Sequence, residues 1–509
     1  MATDTRHPSN TFNTAAQLPS DILFMIPSFI STSRDLFSVS QVCRRWRTIL
    51  VSSPLLWRWI DCQKFTHTIV SLKRHRAVPL RLELHGCLSA KALNAVLNHG
   101  SKIYSISTHI PLDQLRQVHH RLVIPSVEDL VLFVDEDPKD SERVATVEIQ
   151  AGSMSLRRLL VSGIFVPPSQ ITAPNLTHLS LEKMIYSSSE ITEQSIWNML
   201  QRCSQLETIL INIISSCSDP LQTYTPFALP KLRSIELGYG EVEAGLVLPL
   251  RFPPTVAVGF RGISAEREFW PCESTQHVLS TIDIESVTLA HIRHSKDLRY
   301  WDGDTYLIRF EGFEGSLEIT FVEKPGRNPF GPDGLLLSLS SQFNNVKTLF
   351  VVDCRTCDDT LTAMGSVMHN LVSINFTRCN TYLDSLTPTG SSPPLFPHLK
   401  HIAGPPLERK LVEMARARDE RGMPLVTMDL HEYPWCANVT EYMIELREFV
   451  EDAKFRLYAD PPERWASNAL LDAWEAAGYT GPVSVWSTGE IRADRTDCRI
   501  PRRHLVGYW

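Results

Sequence analysis

Two cysteines separated by two residues, Cys354 and Cys357, come nearest in this 509-residue chain to a spacing that does chemistry. A Cys-x-x-Cys pair can run thiol-disulfide exchange or supply half of a tetrahedral zinc site, and Cys379, His369 and His398 follow in the neighbouring stretches. A zinc or redox protein built on Cys354, Cys357 and Cys379 is therefore one reading of the sequence. The rest of the catalytic vocabulary is absent: the chain has no Gly-rich phosphate loop, no His-Glu-x-x-His and no Gly-x-Ser-x-Gly elbow. No catalytic residue, metal ligand or cofactor is assigned, and the chain is expected not to be an enzyme.

The elements around these cysteines give them a plainer role. An apolar residue, a second three positions later and a third two after that recur as Val127-Leu130-Leu132, Leu156-Leu159-Val161, Leu176-Leu179-Leu181, Leu206-Ile209-Ile211 and Leu232-Ile235-Leu237. The triad returns at Val346-Leu349-Val351 and Leu371-Ile374-Phe376 and fades at Leu399-Ile402. Successive triads start roughly 20 to 30 residues apart, the period of leucine-rich repeats. Cys354 and Cys379 both fall eight residues after the first residue of a triad, where such repeats favour Asn or Cys, so both read as buried structural thiols; Cys357 is the one that the repeat does not explain.

Pro125, Pro174, Pro230 and Pro397 stand two residues before a triad, where proline sets the chain extended and stops a preceding helix. Helical patterns precede the strands, for example Gln194 to Cys203 and Leu361 to His369. Because side chains alternate along a strand, the residues between the inward ones face the open inner curve. They are Val131, Phe133, Leu160, His178, Glu182, Leu210, Asn212, Glu236, Phe350, Val352, Asn375 and His401. They are expected to form an exposed target-binding surface. Residues 241–345 break the period, as degenerate repeats or as an insertion. Arg409 to Leu430 reads as a helix, a glycine stop at Gly422 and a final strand.

The N-terminal stretch carries the clearest motif. Leu18-Pro19, Asp35-Leu36, Val42-Cys43-Arg44-Arg45-Trp46 and Pro54-Leu55-Leu56-Trp57 punctuate a run whose apolar residues return every three or four positions. Forty-odd residues cannot bury all of this apolar surface among themselves. The order of these motifs resembles the F-box, a three-helix module. The resemblance implies docking onto a Skp-type adaptor, and through it a cullin, by Leu18, Pro19, Ile22, Leu36, Val39, Val42, Cys43, Trp46 and Trp57. Two departures stand out: Asp21 replaces the usual glutamate, and Pro27 interrupts the first helix. The helix-to-strand unit at Arg409 to Leu430 is similar to the last unit of F-box and leucine-rich-repeat proteins of the fungal type.

Composition bounds the rest. The chain is 43% hydrophobic with a formal net charge of −7, which gives no general attraction to nucleic acid or anionic membrane. No apolar run is long enough to span a bilayer and no signal-peptide core opens the chain, so an intracellular location with reduced thiols is expected. The expected fold is α/β: residues 1–17 disordered, a three-helix F-box over 18–61, a leucine-rich-repeat solenoid over 62–432, irregular at 241–345, and a helical C-terminal cap or tail over 433–509. The expected function is the target-recognition subunit of a ubiquitin ligase that binds an unknown protein target. A non-ligase interaction scaffold is the alternative.

Overall fold

The computed structural model describes residues 33–62, 64–75, 78–86, 88–111, 126–134, 155–164, 166–185, 193–214, 225–238, 246–264, 272–281, 284–292, 304–312, 315–323, 342–352, 364–377, 395–406, 409–432 and 439–457. Leu18, Pro19, Asp21, Ile22, Met25, Gln114, Leu115, Thr362 and residues 386–388 are also described. Cys354, Cys357, Cys379, Pro27, Pro125, the expected disordered segment 1–17 and the tail beyond residue 457 lie outside them. The chain divides into two compact units, residues 1–223 with 227–232 and residues 224–226 with 233–509.

The first unit opens with a helical region. Asp21, Ile22 and Met25 are helical, and α1 (Ser33–Val39), α2 (Arg44–Ser52) and a 3-10 turn (Pro54–Trp57) follow. α1 stops at Ser40, whose hydroxyl donates to the Phe37 carbonyl at 2.6 Å and competes with helix propagation. α2 begins after an extended Cys43, and Pro54 takes the first position of the 3-10 turn, where its missing N–H is no loss. Leu36, Leu50 and Trp57 close this region's core, with Phe37, Val39 and Leu56 packed against it.

A parallel sheet then builds strand by strand: β1 (Trp59–Asp61), β2 (Leu80–His85), β3 (Ile103–His109), β4 (Asp129–Phe133), β5 (Arg158–Ser162), β6 (His178–Ile185) and β7 (Thr208–Ile214). The helices α3 (Phe65–His75), α4 (Ala90–Leu97) and α5 (Glu193–Arg202) lie between strands. Register is strict, with Ile60, Leu82, Ile106, Leu130, Leu159, Leu179 and Ile209 standing side by side across the seven strands. Every residue of that row is buried. A one-residue slip would turn the whole row out of the core, so the apolar row itself fixes the pairing.

In the second unit β8 (Ser234–Gly238) pairs in parallel with β9 (Ala257–Ser264). The chain passes through α6 (Cys272–Leu279) into β10 (Ile284–Ile292), β11 (Asp304–Gly312) and β12 (Ser316–Glu323), an antiparallel meander. β12 returns to lie parallel beside β9, while β10 lies parallel beside β13 (Thr348–Val352). The described part of the interval 241–345 thus holds β9, parallel to β8, and an antiparallel meander of β10 to β12. Parallel pairing then continues through β14 (Ser373–Thr377), β15 (His401–Pro406) and β16 (Leu425–Glu432).

Two expectations are corrected here. Leu425–Glu432 is not the final strand, because α8 (Val439–Leu446) leads into β17 (Val450–Leu457), which pairs in parallel with β16. Within the expected helical cap or tail a helix comes first among the described residues, and β17 behind it extends the sheet. The prolines also act differently from expectation. Leu176 N–H bonds to the Ala173 carbonyl, Leu232 to Leu229 and Leu399 to Phe396, each closing a turn with proline second. Proline presets the φ of that position. The same turn enters the strands at Leu206, Val346 and Leu371 without proline, from Cys203, Phe343 and Met368.

Candidate functional site

The N-terminal helical region sorts its apolar residues into two sets. Leu36 and Trp57 are 1% exposed and Trp46 8%. The Trp57 indole N–H donates to the Leu50 carbonyl at 2.9 Å, and its ring carries the Arg74 guanidinium 4.3 Å from its centroid. Phe37 stacks on His67 of α3 with centroids 5.0 Å apart. These contacts tie α1 and the 3-10 turn to α3. Leu36, Trp46 and Trp57, expected to touch a partner, are buried in the region's own core, because so short a segment needs its largest apolar side chains inside.

The other expected contact residues lie nearer the surface. Val42 is 52% exposed; Pro19 and Ile22 are also exposed, and Leu18, Val39 and Cys43 are half-buried. Leu55, at 63%, and Val51 are exposed apolar residues that the sequence reading did not assign. Their signal was in the chain: within Pro54-Leu55-Leu56-Trp57 a tight turn sends Trp57 inward and leaves Leu55 outward.

The sheet face opposite the buried row gathers the other candidates. Val131, Leu160 and Leu210 fall in one row with Ser107 and Ser180, while Phe133, Glu182 and Asn212 fall in the next with His109 and Ser162. His178 shares a row with Asp129 and Arg158. In the second unit Phe350 and Asn375 share a row, and His401 lies beside Ser373 and Thr427. Glu236 is on β8. These residues are half-buried, not exposed as expected. Phe350, at 4% exposed, is a core residue, and the Val352 side chain lies outside the described set. Strands about 4.8 Å apart bring side chains of successive rungs close enough to shade one another.

Four charge pairs lie on these faces, two in each unit, which the sequence reading missed. Arg158 makes two hydrogen bonds to Asp129, both 2.6 Å, across β4 and β5. Arg81 Nε lies 3.8 Å from Glu83 and Arg309 Nε 2.7 Å from Glu311. Lys454 lies 2.7 Å from Asp452. Three of the four pairs are i, i+2 along one strand, a spacing that puts both charges on one face. The Arg81 guanidinium also stacks over Trp59 at 4.2 Å; burial lowers its pKa, and the Glu83 carboxylate opposes that shift. Glu182 accepts from the Ser180 hydroxyl at 2.8 Å, and the His178 Nδ1 lies 2.9 Å from the Thr177 hydroxyl. His369 and His398 sit exposed in the turns that enter β14 and β15. Among the described residues no group of three or more His, Cys, Asp or Glu is placed to hold a metal ion.

A helical N-terminal region with exposed Ile22, Val42 and Leu55 around a closed core is the geometry that comparison with known proteins addresses. Residues 15–63 match the F-box-like family. No curated protein matches the chain. The F-box-like match thus spans the helical region and β1, the first strand of the parallel sheet, and does not cover the strands that follow. Among the described residues no helix is long and apolar enough to cross a membrane.

Proposed function

We propose that this chain is the target-binding subunit of an SCF-type (Skp-cullin-F-box) ubiquitin ligase and has no catalytic site of its own. The observation that carries this reading is the F-box-like match at residues 15–63 together with Ile22, Val42 and Leu55 standing exposed on a region whose core is already closed. Exposed large apolar side chains beside a complete core are surface held for a partner. Leu18, Pro19, Ile22, Val39, Val42, Cys43 and Leu55 supply the contacts to a Skp-type adaptor, which brings in the cullin.

The parallel strands, entered by one recurrent turn at a leucine-rich-repeat period, are read as the strand layer of a solenoid whose open face holds a protein target. Catalysis is by proximity: holding a target lysine near the loaded transfer enzyme raises its effective concentration without any catalytic side chain here. That role places the chain inside the cell with the other ligase subunits. The test is a Val42→Glu, Leu55→Glu double variant titrated with a purified Skp-type adaptor. Binding is expected to weaken by about 2 kcal/mol or more, a hot-spot loss, with melting unchanged. Wild-type affinity in that variant would remove these residues from the interface.

A further inference from the structure

The matched charges on the sheet face say what kind of target the first unit takes. Among the described residues of that face, Arg158 is engaged by two 2.6 Å hydrogen bonds to Asp129, and Arg81 lies over the Trp59 ring with Glu83 3.8 Å away. A phosphate approaching Arg158 would have to displace the Asp129 carboxylate and then sit beside that negative charge, and one approaching Arg81 would still meet the Glu83 carboxylate beside it. Between the flanking polar rows runs the row Ser107, Val131, Leu160, Ser180, Leu210, with Phe133 at its edge, apolar in the middle and half-buried throughout. From Val131 to Leu210 this row crosses three strand spacings, about 14 Å. An extended segment of about five residues spans that distance, presenting alternate side chains to the row.

We infer that this face binds an extended, unphosphorylated segment of the target protein through apolar side chains, and that recognition requires no charged modification. The inference rests on the target-receptor reading above and names the class of target for the same face. Charge pairing leaves the Asp129–Arg158 row close to neutral and Glu182 adds a carboxylate to the other, so the apolar row sets affinity and the polar rows disfavour an added phosphate.

The test uses the full chain co-purified with its adaptor and two matched sets of short synthetic peptides, one carrying alternate Leu or Phe, the other identical except for a central phosphoserine. The unphosphorylated set should bind, with the phosphoserine weakening binding about tenfold, the effect of placing an unpaired charge against an apolar contact. Leu160→Glu should remove the binding. So should Ser180→Glu, which alters a half-buried hydroxyl and leaves the packed core alone. Preference for the phosphoserine set with loss in Arg158→Gln would overturn the inference. Apolar binding that ignores both variants, or retention of neither set, would overturn it as well. Failure of the ligase reading shows separately, as absence of the adaptor from the wild-type preparation.

Discussion

Arg418 is fully buried with no carboxylate paired to it among the described residues; its Nη1 and Nη2 groups donate to the carbonyls of Leu395, at 3.2 Å, and Phe396, at 2.9 Å. Phe396 has φ +52°, a left-handed conformation that a large side chain adopts only when its surroundings hold it there. Burial pushes the Arg418 pKa down to about 10. The sign follows directly: burial disfavours the charged form, so the cost is present wherever both folded and unfolded states are protonated and is relieved only as pH rises above about 10. The contribution of Arg418 is therefore flat across neutral pH. Arg418→Ala is expected to destabilise the second unit by roughly 2–5 kcal/mol, through a cavity and two unsatisfied carbonyls, with the same loss at pH 6 and at about pH 9. Urea unfolding at the two pH values measures it, and an unperturbed or strongly pH-dependent midpoint would refute the account. At this scale the sequence was a partial guide. It marked Leu36, Trp46 and Trp57 as important by resemblance, but periodicity cannot say whether an apolar residue faces its own core or a partner. Leu55 and Trp57, two residues apart, went opposite ways.

Elements were more legible, because each apolar triad combines a turn residue with two inward strand residues. The first member closes the entry turn at Leu176, Leu206, Leu232, Val346, Leu371 and Leu399, the later members enter the buried face, and all the residues named in the seven triads and the Leu399-Ile402 pair are buried. Leu425, Met428 and Leu430 keep the same spacing and the same burial, so the pattern was present one unit past where it was read as fading. β3 escaped the repeat pattern because Thr108 stands where a third apolar residue would, and β2 because Pro79, not an apolar triad member, stands three residues before its inward Leu82 and Leu84. The meander was open in the sequence for a physical reason: strand propensity fixes that β10, β11 and β12 form but says nothing of their direction. Glycine marks a tighter constraint. Gly404, φ +86°, brings its Cα side against the Phe376 carbonyl of the neighbouring strand, where a Cβ would collide. Gly404→Ala should destabilise β15 by more than about 1 kcal/mol, since it adds a backbone clash to an unfavourable φ. Faster amide exchange across β14 to β16 would show this, whereas wild-type protection would contradict the clash.

For the whole molecule, the exposed apolar side chains of the F-box-like region and the charge-paired sheet face make different demands. On the proposed reading the first meets an apolar surface and the second a neutral segment. The sequence showed the first through motif order and the second only as alternating residues, since pairing such as Asp129 with Arg158 depends on a register that only the assembled strands display. The central claim is that the F-box-like region recruits ligase subunits to a chain whose remaining mass holds a target. Its most direct test is co-purification of the full chain with a Skp-type adaptor and a cullin, beside a Leu18→Ala, Pro19→Ala double variant. The account predicts that both partners come down with the wild type and are lost from the variant. Neither partner binding the wild-type chain, or an adaptor complex that never includes cullin, would contradict it.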